Sequence, residues 1–141
     1  MNCSVDDTLD FLKDLAGTDK IAPDSDIFKD IGMVGDDFRE MIEKYSEKYS
    51  VNMETYLWYF HNVEEGFMSI GGFFFDAPYN RVERIPITPT MLCDFANKGK
   101  WGINYPDHQV PKKRYDILIN RVVVGVFILG VVCWYIYKWA K

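Results

Sequence analysis

The chain has 141 residues, 48% of them hydrophobic and 16% aromatic, which suits one small domain with a packed core and an appendage. Its formal net charge of −5 and pI near 5.0 exclude nucleic acid as the principal partner and point to basic protein surfaces. Cys3, Cys93 and Cys133 form no Cys-x-x-Cys pair and no even set, so the sequence predicts reduced thiols rather than a disulfide framework.

The opening MNCSVDDTLDFLKD is acidic and lacks a long apolar core, unlike a secretory signal. Ser4-Val5-Asp6-Asp7 fits a capping box, and Leu9, Leu12, Leu15 and Ala16 follow at helical spacing before Gly17. These signals predict a first helix over residues 5–16. A loop holding Pro23 comes next, and Ile27, Phe28 and Ile31 lead into DIGMVGDDF, residues 30–38.

Phe38, Met41, Ile42, Tyr45 and Tyr49 recur at the spacing of one buried helical face. A rotation of about 100° per residue puts Asp36, Glu40, Glu43 and Glu47 opposite it, as a solvent-facing acidic stripe. Arg39 falls on one flank, and Lys44 and Lys48 on the other. Asp36 or Asp37 is the expected helix cap, and both carboxylates meet the positive end of the helix dipole. A cap needs only one of them.

Past Val51 the pattern changes. Tyr56 to His61 and Phe73-Phe74-Phe75, the latter after Gly71-Gly72, are dense in aromatics without a clean helical stripe. Short strands and packed irregular segments both fit. Thr88-Pro89 then supplies an N-cap and a first-turn proline, with Met91, Leu92, Phe95 and Ala96 on one face and Gly99 as the stop. Trp101 is expected to fold back onto the core.

Residues 104–121 contain two prolines and the cations Lys112, Lys113, Arg114 and Arg121, and read as a basic tether after a domain over residues 1–103. Val122 to Tyr137, VVVGVFILGVVCWYIY, carries no charge. As a helix it covers roughly 24 Å, near the ~30 Å of a hydrocarbon core, and it is apolar on every face. Arg121 and Lys138 can snorkel from its ends, and Trp134, Tyr135, Tyr137 and Trp139 supply an interfacial belt. The expectation is a single-pass tail anchor over residues 122–138 in the inner membrane, with the N-terminal domain cytoplasmic because the cations concentrate before the run. Gly125 and Gly130 are five apart, so the small-residue helix-dimer motif is absent.

The order of helix, long loop, Asp36-Asp37-Phe38 opening an acidic second helix, and a later short helix resembles an acyl carrier protein. That family opens its second helix with Asp-Ser-Leu, and the serine carries phosphopantetheine. Matching the motifs puts Asp37 at the serine. GDD at Gly35 to Asp37, WYFHNVEEG at Trp58 to Gly66, RIPITP at Arg84 to Pro89 and KGKW at Lys98 to Trp101 are similar, in order, to a bacterial family of unknown function with an acyl-carrier-like domain. The resemblance implies a mainly α, acyl-carrier-like small helical bundle, with room for a short β element, ahead of the C-terminal transmembrane helix. It also implies that the carrier chemistry is lost. A serine hydroxyl accepts the phosphopantetheinyl group as a stable phosphodiester, whereas a carboxylate cannot form that linkage.

The expected function is a non-catalytic, membrane-tethered binding or regulatory module without cofactor or metal. Asp36, Asp37, Glu40, Glu43 and Glu47 would meet the basic patch of a protein partner, and a partner in the same membrane would gain effective concentration from the tether. Two alternatives stand beside it. One is a carrier with an unusual attachment site; the other is an enzyme using His61 with Glu64 and Glu65. His61 and a glutamate alone make neither a tetrahedral metal site nor a catalytic triad.

Overall fold

Ser4 begins the first helix, α1 (Val5–Ala16), with a complete capping box. The Ser4 hydroxyl accepts from the Asp7 N–H at 3.2 Å, and the Asp7 carboxylate accepts from the Ser4 N–H at 2.8 Å. The Ser4 N–H and the Ser4 hydroxyl, which donates to the same carboxylate at 2.7 Å, hold the Asp7 carboxyl below its ordinary pKa. Gly17 closes the helix in the left-handed region, at φ +63°. The expected second and third helices are α2 (Gly35–Tyr49) and α3 (Pro89–Lys98). Thr88 caps α3 by accepting from the Met91 N–H, and Gly99 ends it at φ +66°.

The structure is a computed structural model that describes residues 2–65 and 69–141. Gly66, the last residue of the WYFHNVEEG stretch, lies outside the described residues. Two compact units form. The first comprises Met1–Glu65 and Val82–His108, the second Gly66–Arg81 and Gln109–Lys141.

In the first unit the helices bury the faces that their periodicity marks. Leu12, Phe38, Met41, Ile42, Tyr45, Leu92 and Phe95 share one core, and Trp101 folds onto it. Polar atoms inside this core are paired, which is the condition for burying them at all. The Tyr45 hydroxyl donates to the Leu92 carbonyl at 2.6 Å, the Tyr49 hydroxyl to the Asp7 carbonyl at 3.0 Å, and the Thr8 hydroxyl to the Pro89 carbonyl at 3.1 Å. Each ties one helix to another. Burial pushes the Tyr49 phenol up to about 12 and the Cys3 thiol up to about 11, so both stay neutral.

Residues 52–62, open in sequence between strand and irregular packing, contain no strand. Among the described residues the short β element is a single parallel bridge, Asn52 to Lys100, and the aromatic run makes a 3-10 turn over Trp58–Phe60. An interior network holds that turn. The Ile85 carbonyl can only accept, so His61 Nδ1 carries the proton and donates to it at 2.8 Å. His61 Nε2 then accepts from the Tyr105 hydroxyl at 2.7 Å. The same hydroxyl oxygen accepts from the Trp101 indole at 2.8 Å and the Leu57 N–H at 3.2 Å, so every donor and lone pair is used. His108 joins the unit as well, at 2.8 Å from the Tyr59 hydroxyl.

The second unit is built on α4 (Tyr115–Trp139), which starts seven residues before the charge-free run and makes part of the expected tether helical. It is the one helix among the described residues long and apolar enough to cross a membrane, with mean hydropathy 2.3 over its best window and none of that window buried. At its far end Lys138 lies over the Trp134 ring and Lys141 over the Tyr137 ring, the aromatic–cation pattern of a membrane–water boundary. Two further 3-10 turns, Gly71–Phe73 and Pro78–Asn80, complete this unit.

Candidate functional site at the mouth of the second helix

The expected aspartate cap is not there. Val34 is the N-cap residue of α2, and no side chain of the N-cap bonds into the first turn. Gly35 enters the helix at φ +54°, a left-handed conformation that side chains disfavour. The buried amide of Asn62 grips this glycine from across the fold. Its Oδ1 accepts from the Gly35 N–H at 2.8 Å, and its Nδ2 donates to the Gly35 carbonyl at 2.7 Å. With that end satisfied from a distance, the helix begins one residue before the acidic pair. Asp36 and Asp37 thus sit inside the first turn with their side chains in solvent, still facing the positive end of the dipole.

A third carboxylate joins them. A Cβ at Gly35 would lie 2.0 Å from Cγ of Glu65, so that side chain lies directly over the helix mouth. Glycine here serves two needs at once: the backbone angle and the close approach of Glu65.

All five carboxylates of the stripe, Asp36, Asp37, Glu40, Glu43 and Glu47, are exposed. They are not equally free. Arg39 reaches back to Asp36 at 3.2 Å and forward to Glu43 at 3.1 Å, and Lys44 meets Glu40 at 2.6 Å. The lysine lowers the Glu40 pKa by its hydrogen bond and charge. Flanking cations therefore fold over the stripe and neutralise part of it. Asp37 and Glu47 make no ion pair among the described residues.

Beside Asp37 opens a cleft of about 230 Å³ between the end of α1 and the start of α2. Leu15, Ile31, Met33 and Met41 provide its apolar floor, and Asp37, Glu40 and Lys44 stand at its rim. A region that joins an apolar floor to accessible carboxylates can accept a side chain with an aliphatic stem and a cationic head.

The residues considered for catalysis differ in burial. His61 is fully buried with both ring nitrogens bonded, and burial lowers its pKa to about 4, so it is neutral in the interior. Glu64 and Glu65 are exposed. Among the described residues no group of three or more His, Cys, Asp or Glu side chains is placed to hold a metal ion.

A family model described as Protein of unknown function (DUF1493) matches residues 5–104. The chain belongs to this family. The match spans α1, α2 and α3 and stops before α4, so the DUF1493 region covers the packed helices and the α2 mouth but not the apolar helix. Searches of curated proteins and of solved structures return no match.

Asn62 is the residue at the α2 mouth that periodicity could not find. It stands 27 positions from the glycine it holds. The only sequence signal was its place within the WYFHNVEEG stretch.

Proposed function

We propose that this DUF1493 protein is a non-catalytic, membrane-tethered binding module whose α2 face engages a basic surface of a protein partner. The reading rests chiefly on one observation: Asp37 and Glu47, near the two ends of the α2 stripe, are exposed carboxylates that make no ion pair among the described residues. Asp36, Glu40 and Glu43 supply further charge that a partner's arginines or lysines can capture by displacing Arg39 and Lys44. Such contacts accelerate encounter and weaken with salt. The cleft beside Asp37 adds apolar area to the same face.

In this reading the surface is acyl-carrier-like, but the carrier function is lost because Asp37 occupies the place of the modified serine. No cofactor is needed. The span lies in the inner membrane with the helical domain cytoplasmic, since Lys112, Lys113, Arg114 and Arg121 precede the apolar run and only Lys138 and Lys141 follow it. A partner in the same membrane gains effective concentration from the tether.

The test is co-purification from detergent-solubilised membranes, comparing the intact chain with the double variant Asp37→Lys, Glu47→Lys. A protein retained by the intact chain at low salt, and lost with the variant or at high salt, is expected. Co-purification unaffected by either change overturns the proposal. Intact mass is measured on the same sample, and an added phosphopantetheinyl group would revive the carrier alternative.

A further inference from the structure

The second unit exposes large apolar side chains that no helical periodicity calls for. Phe73 is 82% exposed and Phe74 72%, at the tip of the loop that runs from Ser69 to Phe75. This loop is fastened to the first turns of α4. The Gly71 N–H donates to Asn120 Oδ1 at 2.8 Å, and Asn120 Nδ2 donates to the Ser69 hydroxyl at 2.9 Å. That hydroxyl also accepts from the Gly72 N–H at 2.8 Å. A Cβ at Gly71 would fall 2.0 Å from the Asp116 carbonyl oxygen, so only glycine lets the loop backbone lie this close to the helix. The Phe75 and Tyr115 rings pack 5.5 Å apart.

We propose that this loop is a lipid-interface anchor, with Phe73 and Phe74 inserted into the bilayer at the head-group boundary beside α4. The proposal rests on the reading that α4 crosses a membrane. Three observations select lipid as the occupant. First, α4 has 25 residues and is about 37 Å long, more than the ~30 Å hydrocarbon core, so its first turns stand in the head-group zone. Second, the loop is attached at Asp116 and Asn120, and the charge-free run starts at Val122, about 9 Å and about 3 Å further along the axis respectively. The phenylalanines are therefore fixed at the depth where aromatic rings collect. Third, Lys112 and Lys113 are exposed just before α4 and suit anionic head groups at the same level. Two fixed phenylalanines beside the helix would restrain its rotation and tilt as a single helix cannot.

The full chain is reconstituted into vesicles of phosphatidylcholine and phosphatidylglycerol, in a Cys133→Ser background. Cys3 and Cys93 are buried, so a polarity-sensitive fluorophore can be placed at Phe74→Cys or, in a separate sample, at Ile128→Cys. Nitroxide lipids labelled at shallow and deep positions then report depth. The expected result is shallow quenching at position 74 and deep quenching at position 128. Deep quenching at 128 with a water-exposed, unquenched label at 74 overturns the anchor and leaves the span standing. A label at 74 that is shielded from water yet unquenched means that protein covers the loop, which also overturns the proposal. Absence of quenching at both positions removes the span and the anchor together. In a Gly71→Val variant, which forces the loop off α4, quenching at 74 should fall while that at 128 persists. Unchanged quenching at 74 in that variant contradicts a helix-held anchor.

Discussion

Phe38 in α2 is 1% exposed and Phe127 in α4 is 71% exposed, although both are phenylalanines in regular helices. The sequence around each explains the contrast. Phe38 belongs to a stripe that returns every three or four residues, so one face of α2 can be hidden by α1, α3 and the loops between them. Phe127 lies among Val126, Ile128 and Leu129, where every face is apolar and none is covered by protein. An apolar stripe is matched by other helices of the same unit, whereas an apolar cylinder of this length is long enough to cross a bilayer. On the reading that α4 crosses a membrane, the same residue type reports two different solvents.

One substitution made in both places tests that contrast with the largest effect. Phe38→Ala should lower unfolding stability by about 3–5 kcal/mol, as for a truncated core aromatic. Phe127→Ala should change it by less than about 0.5 kcal/mol, as for a site outside any protein core. Denaturant unfolding of the full chain in mild detergent, followed through the near-ultraviolet signal of the buried aromatics, measures both. Equal losses would mean that α4 packs into protein.

Acid sharpens the same contrast through a buried group of the first unit. His61 is held to about 4 in the folded state, below the ordinary 6.5 that it recovers on unfolding. Between those values the unfolded chain binds a proton that the folded chain refuses, so stability falls as pH drops from about 6.5 towards 4. The full loss is roughly 3 kcal/mol, reached near the lower value and absent above the higher one. Unfolding measured across this window should show the slope, and His61→Gln should flatten it. A slope that survives in the variant assigns the proton to another group.

Next in size is the α2 mouth, where a buried clamp stands beside exposed charges. Asn62→Ala strands the Gly35 N–H and carbonyl and should cost about 1–3 kcal/mol. Asp37→Ala should cost less than about 0.5 kcal/mol, because Asp37 is not the cap. Thermal unfolding of the two variants orders them, and the reverse order would return the capping role to Asp37.

Much of the helical layout was legible in the sequence because its signals are local. The Ser4–Asp7 box, the Thr88-Pro89 start and the glycine stops at Gly17 and Gly99 act within one turn, and the buried stripes of α2 and α3 act within a few. The α2 start was misread for the opposite reason: an asparagine 27 residues away satisfies the end that Asp36 or Asp37 was expected to cap. The aromatic run from Tyr56 to His61 was undecided because its conformation depends on Ile85, Trp101 and Tyr105, which no local window contains. The acidic stripe was read correctly as exposed, but its partial neutralisation by Arg39 and Lys44 depends on where long side chains reach. Residues 69–81 give no sequence hint that they group with the C-terminal helix.

Site-specific photo-crosslinking in native membranes tests the central claim most directly. A photoreactive residue is placed at Glu47, on the acidic face of α2, and in a second chain at Asp94, an exposed position on α3. The account predicts one discrete protein adduct from position 47 that disappears at high ionic strength, with no matching adduct from position 94. No adduct at 47, or the same adducts from both positions at any salt, would contradict it.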